Sequence, residues 1–324
     1  MENWLINVQS ITERFLTRRK RKKLRQKKKQ QEKNVIIDWL EAFLWAAGVV
    51  LLINQYLFQA YQIPSGSMID TLLIKDHIFV NKIIFGPELI PGQLKVSSPL
   101  KPVRNDVIIF ENPTYISRGP VFDTLQRVLY MLTLSLVDID KDENGNPKPH
   151  FLIKRAAAVG GDSLRFVKGE LQLKPPGFED WIYESDFHKI SGFTNKTRRL
   201  INPSDYDIIR ASAFTDAYQN SNIRINDNIL KQSASKTSSH SDMFAWMKYR
   251  NEALYTINPQ ERRYGILWRK FNSGWYLPKG WIMPLGDNRD NSNDGRYFGP
   301  VPENKVLGKA MFKYWPLNRV GKIE

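Results

Sequence analysis

Cysteine is absent from the 324 residues, and histidine occurs only four times. The first absence removes disulfide scaffolds, thiolate nucleophiles and cysteine-ligated zinc, and it leaves the redox compartment open. The histidines, His77, His150, His188 and His240, stand in unrelated contexts, without metal-ligand spacing or a neighbouring nucleophile motif. A histidine-based triad and a metal centre are therefore disfavoured, and no cofactor is expected. No internal repeat is visible. Acidic residues are outnumbered, 33 against 48 Lys and Arg, for a net charge of +15.

That excess looks like a nucleic-acid signature until it is located. Eleven Lys and Arg and a single acid, Glu32, lie between Arg18 and Lys33, net +10, which leaves +5 for the rest of the chain. A nucleic-acid binder spreads basic and aromatic residues over its folded surface, so no nucleic-acid partner is expected. The basic arm can serve as a topology signal or can bind anionic lipid headgroups, each basic residue near such a surface contributing about 1 kcal/mol. Before it, Trp4, Ile6, Val8, Ile11 and Phe15 have the spacing of a short amphipathic helix over residues 3–17.

Directly after the arm, Trp39 to Phe58 carries one charge, Glu41, and an unbroken apolar stretch from Phe43 to Ile53. At a rise of about 1.5 Å per residue this length spans the roughly 30 Å of bilayer hydrocarbon. The sequence predicts a transmembrane helix within residues 36–60, with a buried core helix as the alternative that Asn54 and Gln55 keep open. A cleaved signal peptide fits poorly, because the segment lies deep in the chain. The positive-inside rule places residues 1–35 in the cytoplasm and everything after about Tyr61 on the outer side of the bilayer.

With 42% hydrophobic residues, the remainder is expected to fold around a real core. Short apolar stretches at Ile78–Val80, Val107–Phe110, Phe151–Ile153, Leu164–Val167 and Leu171–Leu173 are separated by turn residues, the pattern of a mainly β domain. Lys168-Gly169-Glu170 predicts a hairpin turn between the last two. From 178 to 272 the texture becomes polar, as in Ser233–Ser241, and predicts an inserted subdomain with a flexible part. The apolar run Val128–Val137 is too short to cross a bilayer and reads as a core helix or a surface that docks on lipid. Asp140–Gly145 begins like a calcium loop, but Phe151 stands where the bidentate glutamate belongs, so a polar turn is expected.

Three segments hold groups capable of chemistry. Ile63-Pro64-Ser65-Gly66-Ser67-Met68 pairs a fixed dihedral with a free one, which suits a tight loop presenting a hydroxyl, although Ser-Gly-Ser is also ordinary turn material. Lys154 ends the apolar stretch Phe151–Ile153. A free lysine has a pKa near about 10.4, so burial must lower it before it can take a proton; an exposed strand-end lysine is the competing reading. Gly286–Gly299 is dense in carboxylates, amides and arginines, a loop whose ion pairs can rigidify a site.

Together, in this order and behind an apolar helix, these segments resemble bacterial type I signal peptidases, serine–lysine enzymes that remove signal peptides from exported preproteins. The resemblance covers about residues 36–177 and 273–324. It implies Ser67 as nucleophile, Lys154 as general base, and Ser65 with the Ser67 backbone N–H as the oxyanion hole. It further implies that Ser292 orients Lys154, that Asp294 and Arg296 pair in support, and that Gln62, Ile63, Pro64, Leu152 and Ile153 line the substrate groove. Asp76–Lys82 and Arg104-Asn105-Asp106 resemble the intervening boxes. Asp70 stands where the nucleophile box usually has proline, Asn105 where Arg-Gly-Asp has glycine, and Gly295 replaces a serine. A carboxylate at Asp70 is expected to favour protonated Lys154.

The expected organisation is a basic arm (1–35), a membrane helix (36–60), an antiparallel β catalytic domain in two parts (61–177 and 273–324) and the insertion (178–272). The partners are then preproteins and the lipid bilayer, at the bacterial cytoplasmic membrane with the catalytic domain on the periplasmic side. A membrane-anchored binding protein using the basic arm, and an inactive pseudo-peptidase, are the competing functions.

Overall fold

The structure, a computed structural model, describes residues 16–24, 35–90, 94–143, 145, 148–233 and 242–323. The amphipathic helix expected over 3–17, most of the basic arm and most of Ser233–Ser241 lie outside the described residues. The chain divides into two compact units, Met1–Leu51 and Leu52–Glu324.

Helix α1, Val35–Tyr56, makes up most of the described part of the first unit. The helix is long and apolar enough to cross a membrane, and none of its most apolar stretch is buried, unlike a core helix. It stops at Tyr56, earlier than the apolar pattern suggests, and the polar residues near its end bond to the chain beyond it. Asn54, buried at 4% exposure, accepts from the Ala60 N–H through Oδ1 at 3.4 Å. Gln55 Nε2 donates to the Glu88 carbonyl at 2.8 Å.

The second unit is built on an eight-stranded sheet whose pairing is antiparallel. Its strands are β1 (Phe58–Gln62), β2 (His77–Asn81), β3 (Val107–Glu111), β4 (Phe151–Val159), then β9 (Trp281–Leu285), β10 (Val301–Pro302), β11 (Val306–Trp315) and β12 (Gly321–Lys322). The order is β1-β2-β11-β3-β4-β9-β10, with β12 on β11. Tyr61, Ile63, Ile78, Val80, Val107, Ile109 and Leu307 fill one core along this sheet. β1 is an edge strand. In β4, β9 pairs from Arg155 onward, so Phe151–Lys154 have a strand partner on the β3 side alone among the described residues.

A second antiparallel sheet has β5 (Ser163–Val167) and β6 (Glu170–Lys174) at its centre, flanked by β7 (Ile182–Tyr183) and β8 (Trp275–Tyr276). The turn between β5 and β6 has Lys168 at φ 47° and Gly169 at φ 75°, as a two-residue hairpin turn requires. Its apolar face, Leu164, Phe166, Leu171 and Leu173, packs with Met283 and Leu285 of β9.

The description "mainly β" is too narrow. Helices α2 (Pro120–Leu132), α3 (Glu184–Ser191), α4 (Tyr206–Asn220), α5 (Met243–Ile257) and α6 (Arg262–Ser273) occupy much of the sequence that reads as loop. In α4 three of the five buried residues are alanines, Ala211, Ala213 and Ala217, beside Tyr206 and Ile209, so the buried stripe carries little hydropathy; Ala217 packs with Ala253 and Leu254 of α5, and Tyr206 and Ile209 with Ala245. Asp242 caps α5, accepting from the Ala245 N–H at 2.9 Å. The apolar run Val128–Val137 is half helix: α2 ends at Leu132, and Leu134 and Ser135 turn through positive φ.

Candidate active site

Ser67 sits in a single 3-10 turn, Gly66–Met68, just after β1, and is 6% exposed. The turn is held from the opposite side by Asn288, whose N–H donates to the Ser67 carbonyl at 3.0 Å and whose Nδ2 donates to the Gly66 carbonyl at 3.0 Å. Met68 and Leu72, fully buried, anchor the chain beyond the turn in the core of the large sheet.

Lys154 lies inside β4, and its Nζ is 2.8 Å from Ser67 Oγ and donates to the Ile153 carbonyl at 3.0 Å. Burial among apolar strands disfavours the ammonium and lowers the lysine to about 8, against an upward pull from the carboxylates of Asp294 and Asp287. The exposed strand-end alternative does not apply, because Lys154 is 3% exposed. β4 continues to Val159 because its second half, Arg155 to Ala158, is covered on both faces, so its pattern of small residues and one arginine does not read as a strand.

Two buried ion pairs and a loop fix these groups. Arg155 binds Asp287 in bidentate fashion, Nε to Oδ1 at 2.8 Å and Nη2 to Oδ2 at 2.7 Å, and Nη1 donates to the Asn105 carbonyl at 2.9 Å. Asn105 is at φ 78°, a left-handed conformation that asparagine tolerates in place of glycine. Thr71 donates to Asp287 Oδ2 at 2.6 Å, tying the chain after Ser67 to the same carboxylate. Asp294 accepts from Arg296 Nε at 2.9 Å and from the Gly286 N–H at 3.0 Å. Burial alone would raise the Asp294 carboxyl, but the Arg296 guanidinium and these hydrogen bonds outweigh it and hold it below the usual carboxylate range.

Gly286 is required by close approach: a Cβ there would stand 2.2 Å from Ser292 Oγ and 2.6 Å from the Ser67 carbonyl oxygen. Ser292 is therefore at the site, buried at 9% exposure, but its hydroxyl makes no hydrogen bond, to Lys154 or to any other described residue. Ser65 is exposed, with its Oγ 3.4 Å from Ser67 Oγ. The carboxylates that pull on the lysine are Asp294 and Asp287, and Asp70 is not among them. Its carboxylate pairs with Arg198 Nη1 at 3.3 Å, and its φ of 83° is one that proline cannot adopt.

Gln62, Ile63, Pro64, Leu152 and Ile153 all line one groove of about 400 Å³, between β1 and the first half of β4. Ser67 and Lys154 stand just beyond its lining. The groove also takes in Tyr61, Ile109, Gln126, Tyr130 and the stretch from Ser135 to Asp138, which motif reading misses; the apolar run Val128–Val137 is the signal that pointed toward this wall. Also missed are Arg155, Asp287 and Asn288, whose roles are defined by partners distant in sequence.

Comparison with known proteins bears on this arrangement. The profile of the family described as "Signal peptidase, peptidase S26" matches residues 36–184 and 217–315. A protein from Haemophilus influenzae named "Signal peptidase I" is 28% identical over 285 residues, covering 87% of this chain and 70% of its own length. Its namesake from Buchnera aphidicola subsp. Acyrthosiphon pisum is 26% identical, covering 99% of this chain and 91% of its own length. That of Aquifex aeolicus is 26% identical over 274 residues, covering 82% and 79%.

Proposed function

The chain belongs to the signal peptidase family, peptidase S26, and from that premise we propose that it is a membrane-anchored serine endopeptidase that removes signal peptides from exported preproteins. Ser67 is its nucleophile and Lys154 its general base. The observation that carries this reading is the contact between Lys154 Nζ and Ser67 Oγ at 2.8 Å, with the lysine lowered to about 8 by burial.

The chemistry follows from that contact. Neutral Lys154 takes the hydroxyl proton of Ser67 as Oγ attacks the scissile carbonyl carbon. The carbonyl oxygen becomes an oxyanion, which the Ser65 hydroxyl and the Ser67 N–H stabilise. The Lys154 ammonium then gives its proton to the leaving amine as the peptide bond breaks, and water, deprotonated by the same lysine, releases the acyl group from Ser67. Ser292, whose hydroxyl is buried at the site without a partner, orients the lysine by accepting from its ammonium once the Ser67 proton has been transferred, and the Asp294–Arg296 pair supports the loop that carries it.

The substrate adds as an extended strand between the edge of β1 and the free edge of Phe151–Lys154, with Gln62 to Pro64 and Leu152 to Ile153 at its sides. Helix α1 is the membrane anchor, with the basic arm on the cytoplasmic side, where it can meet anionic headgroups. The catalytic β domain comprises 61–177 and 273–324, and the helices of 178–272 form an insertion in it.

The test is cleavage of a purified preprotein with small residues before its cut site, by detergent-solubilised wild type, Ser67→Ala and Lys154→Ala side by side. A single cut by wild type and none by either folded variant is expected. An inert wild type, or a Lys154→Ala enzyme that cuts at near-normal rate, rules the mechanism out.

A further inference from the structure

The loop that holds the Ser67 turn is itself held from outside by a short stretch that no motif assigns. Resting on the reading of Ser67 as nucleophile, we infer that Arg198–Ile201 is a strap that positions the nucleophile turn, and that Asp290 is the positioning residue through which it acts.

Arg198 runs alongside Asn288 in a parallel bridge. Its N–H donates to the Asp287 carbonyl at 2.7 Å, and its carbonyl accepts from the Arg289 N–H at 3.0 Å. Next in the strap, Arg199 Nε donates to both oxygens of Asp290 at 3.1 Å, and the N–H groups of Leu200 and Ile201 donate to Asp290 Oδ2 at 2.6 and 3.0 Å. The Asp290 side chain is fully buried. A buried carboxylate must be paired and hydrogen-bonded, and here every such partner found among the described residues is in the strap.

The strap is anchored at its far side as well. Arg199 Nη1 pairs with Glu170 at 2.9 Å, and its Nη2 donates to the Tyr206 hydroxyl, which in turn donates to the α5 cap Asp242 at 2.7 Å. The helical layer and the β5–β6 hairpin are thus connected to Asp290 through Arg199. On its inner side the same loop meets the site directly, since Asn288 donates to the Ser67 and Gly66 carbonyls. Asn288 therefore lies between the strap and the nucleophile turn. The Asp70–Arg198 pair adds a second tie, to the residue that leaves that turn.

The strap residues Arg198–Ile201 fall between the two ranges that match the family profile, 36–184 and 217–315, whereas Asp290 falls within the second. The loop is polar and would otherwise sample many conformations. Proton transfer from Ser67 to Lys154 tolerates little displacement, because attack requires the reacting atoms aligned within a few tenths of an ångström.

The experiment uses the full-length, detergent-solubilised enzyme and measures kcat, KM, the pH profile of kcat and thermal unfolding for Asp290→Ala, Asp290→Asn and Arg199→Gln. Arg210→Ala, which removes the exposed pair of Arg210 with Glu252 in the same helical layer, is the control. Ser67→Ala runs alongside. For folded Asp290→Ala kcat is expected to fall on the order of 100-fold, the scale of a misplacement of about 1 Å. KM is expected to stay within about two-fold, since the groove is untouched. The pH midpoint of kcat stays where it is, because burial and the carboxylates of Asp294 and Asp287, which set the Lys154 value, are not removed. Should the Asp290 variants fail to fold, Arg199→Gln decides, since it leaves the Leu200 and Ile201 amides on Asp290; a loss of about 10-fold in kcat is expected there. Folded variants with wild-type kcat and only a lower unfolding temperature overturn the strap as a positioning device, as does an equal loss in Arg210→Ala. Residual cleavage by Ser67→Ala overturns the proposed function, and the strap with it; a dead Ser67→Ala beside a fully active Asp290→Ala overturns the strap alone.

Discussion

A lysine ammonium buried beside Ser67 costs free energy that the neutral amine does not, and this sets two measurable behaviours of Lys154. In the proposed mechanism the base works when neutral, so kcat/KM is expected to rise with pH along an acid limb whose midpoint lies at about 8, the value to which burial lowers the lysine of the free enzyme. A pH–rate profile flat through that region would contradict it. The second behaviour is in stability. The folded-state value lies below the unfolded 10.5, so at low pH both states hold the proton and folding bears the full cost of burying it. As pH climbs from about 8 toward 10.5 the native state releases the proton first, and the cost disappears. Lys154→Met is therefore expected to be dead as an enzyme yet more stable than wild type by up to roughly 3 kcal/mol near pH 6, with the gap closing through that window. Denaturant melts at several pH values check the sign. Ser67 and Lys154, the pair proposed to do the chemistry, stand in motifs legible in the sequence. The fate of Asp70 was not, because its partner Arg198 lies 128 positions away and a local reading sees only its proximity to Ser67.

Among the elements, β4 and the loop after β9 are joined by the fully buried pair of Arg155 and Asp287. Removing one member leaves the other charge unpaired in the interior, so Asp287→Ala is expected to lose about 3–5 kcal/mol. That corresponds to a drop in unfolding temperature on the order of 10 °C, readable by calorimetry on the solubilised protein. A change near zero would mean that water reaches Arg155. The strands the sequence announced are those with one apolar face or an apolar run, β2, β3, β5 and β6, and the hairpin turn was legible from Gly169. The second half of β4 was hidden by its small residues. Helices α4 and α5 were hidden because alanines make up part of their shared core and the apolar residues beside them are scattered among polar ones, so no strong helical period shows in a Ser- and Asn-rich stretch.

Over the whole molecule, charge and hydropathy are segregated along the chain: the basic arm, then the apolar helix, then the sheets. In the proposed orientation, with the arm on the cytoplasmic side, a tag at Met1 is expected to resist protease added to spheroplasts, while a tag at Glu324 is cleaved. Digestion of the Met1 tag in sealed cells reverses the orientation. The segregation was readable from sequence because bilayer length and the positive-inside rule act on contiguous residues. So were Ser67 and Lys154 as candidate chemical groups, and the polar block 286–299 as a candidate support for them. Tertiary structure alone decided that these groups meet, since Nζ and Oγ come within 2.8 Å across 87 positions of sequence. It also decided that the lysine is buried deeply enough to be lowered to about 8, and that Arg199 reaches Asp290 from 91 positions away to hold the loop behind the nucleophile. The physical reason is the same in each case: desolvation and hydrogen bonding depend on what surrounds a group in space, and neighbours in sequence specify only a small part of those surroundings.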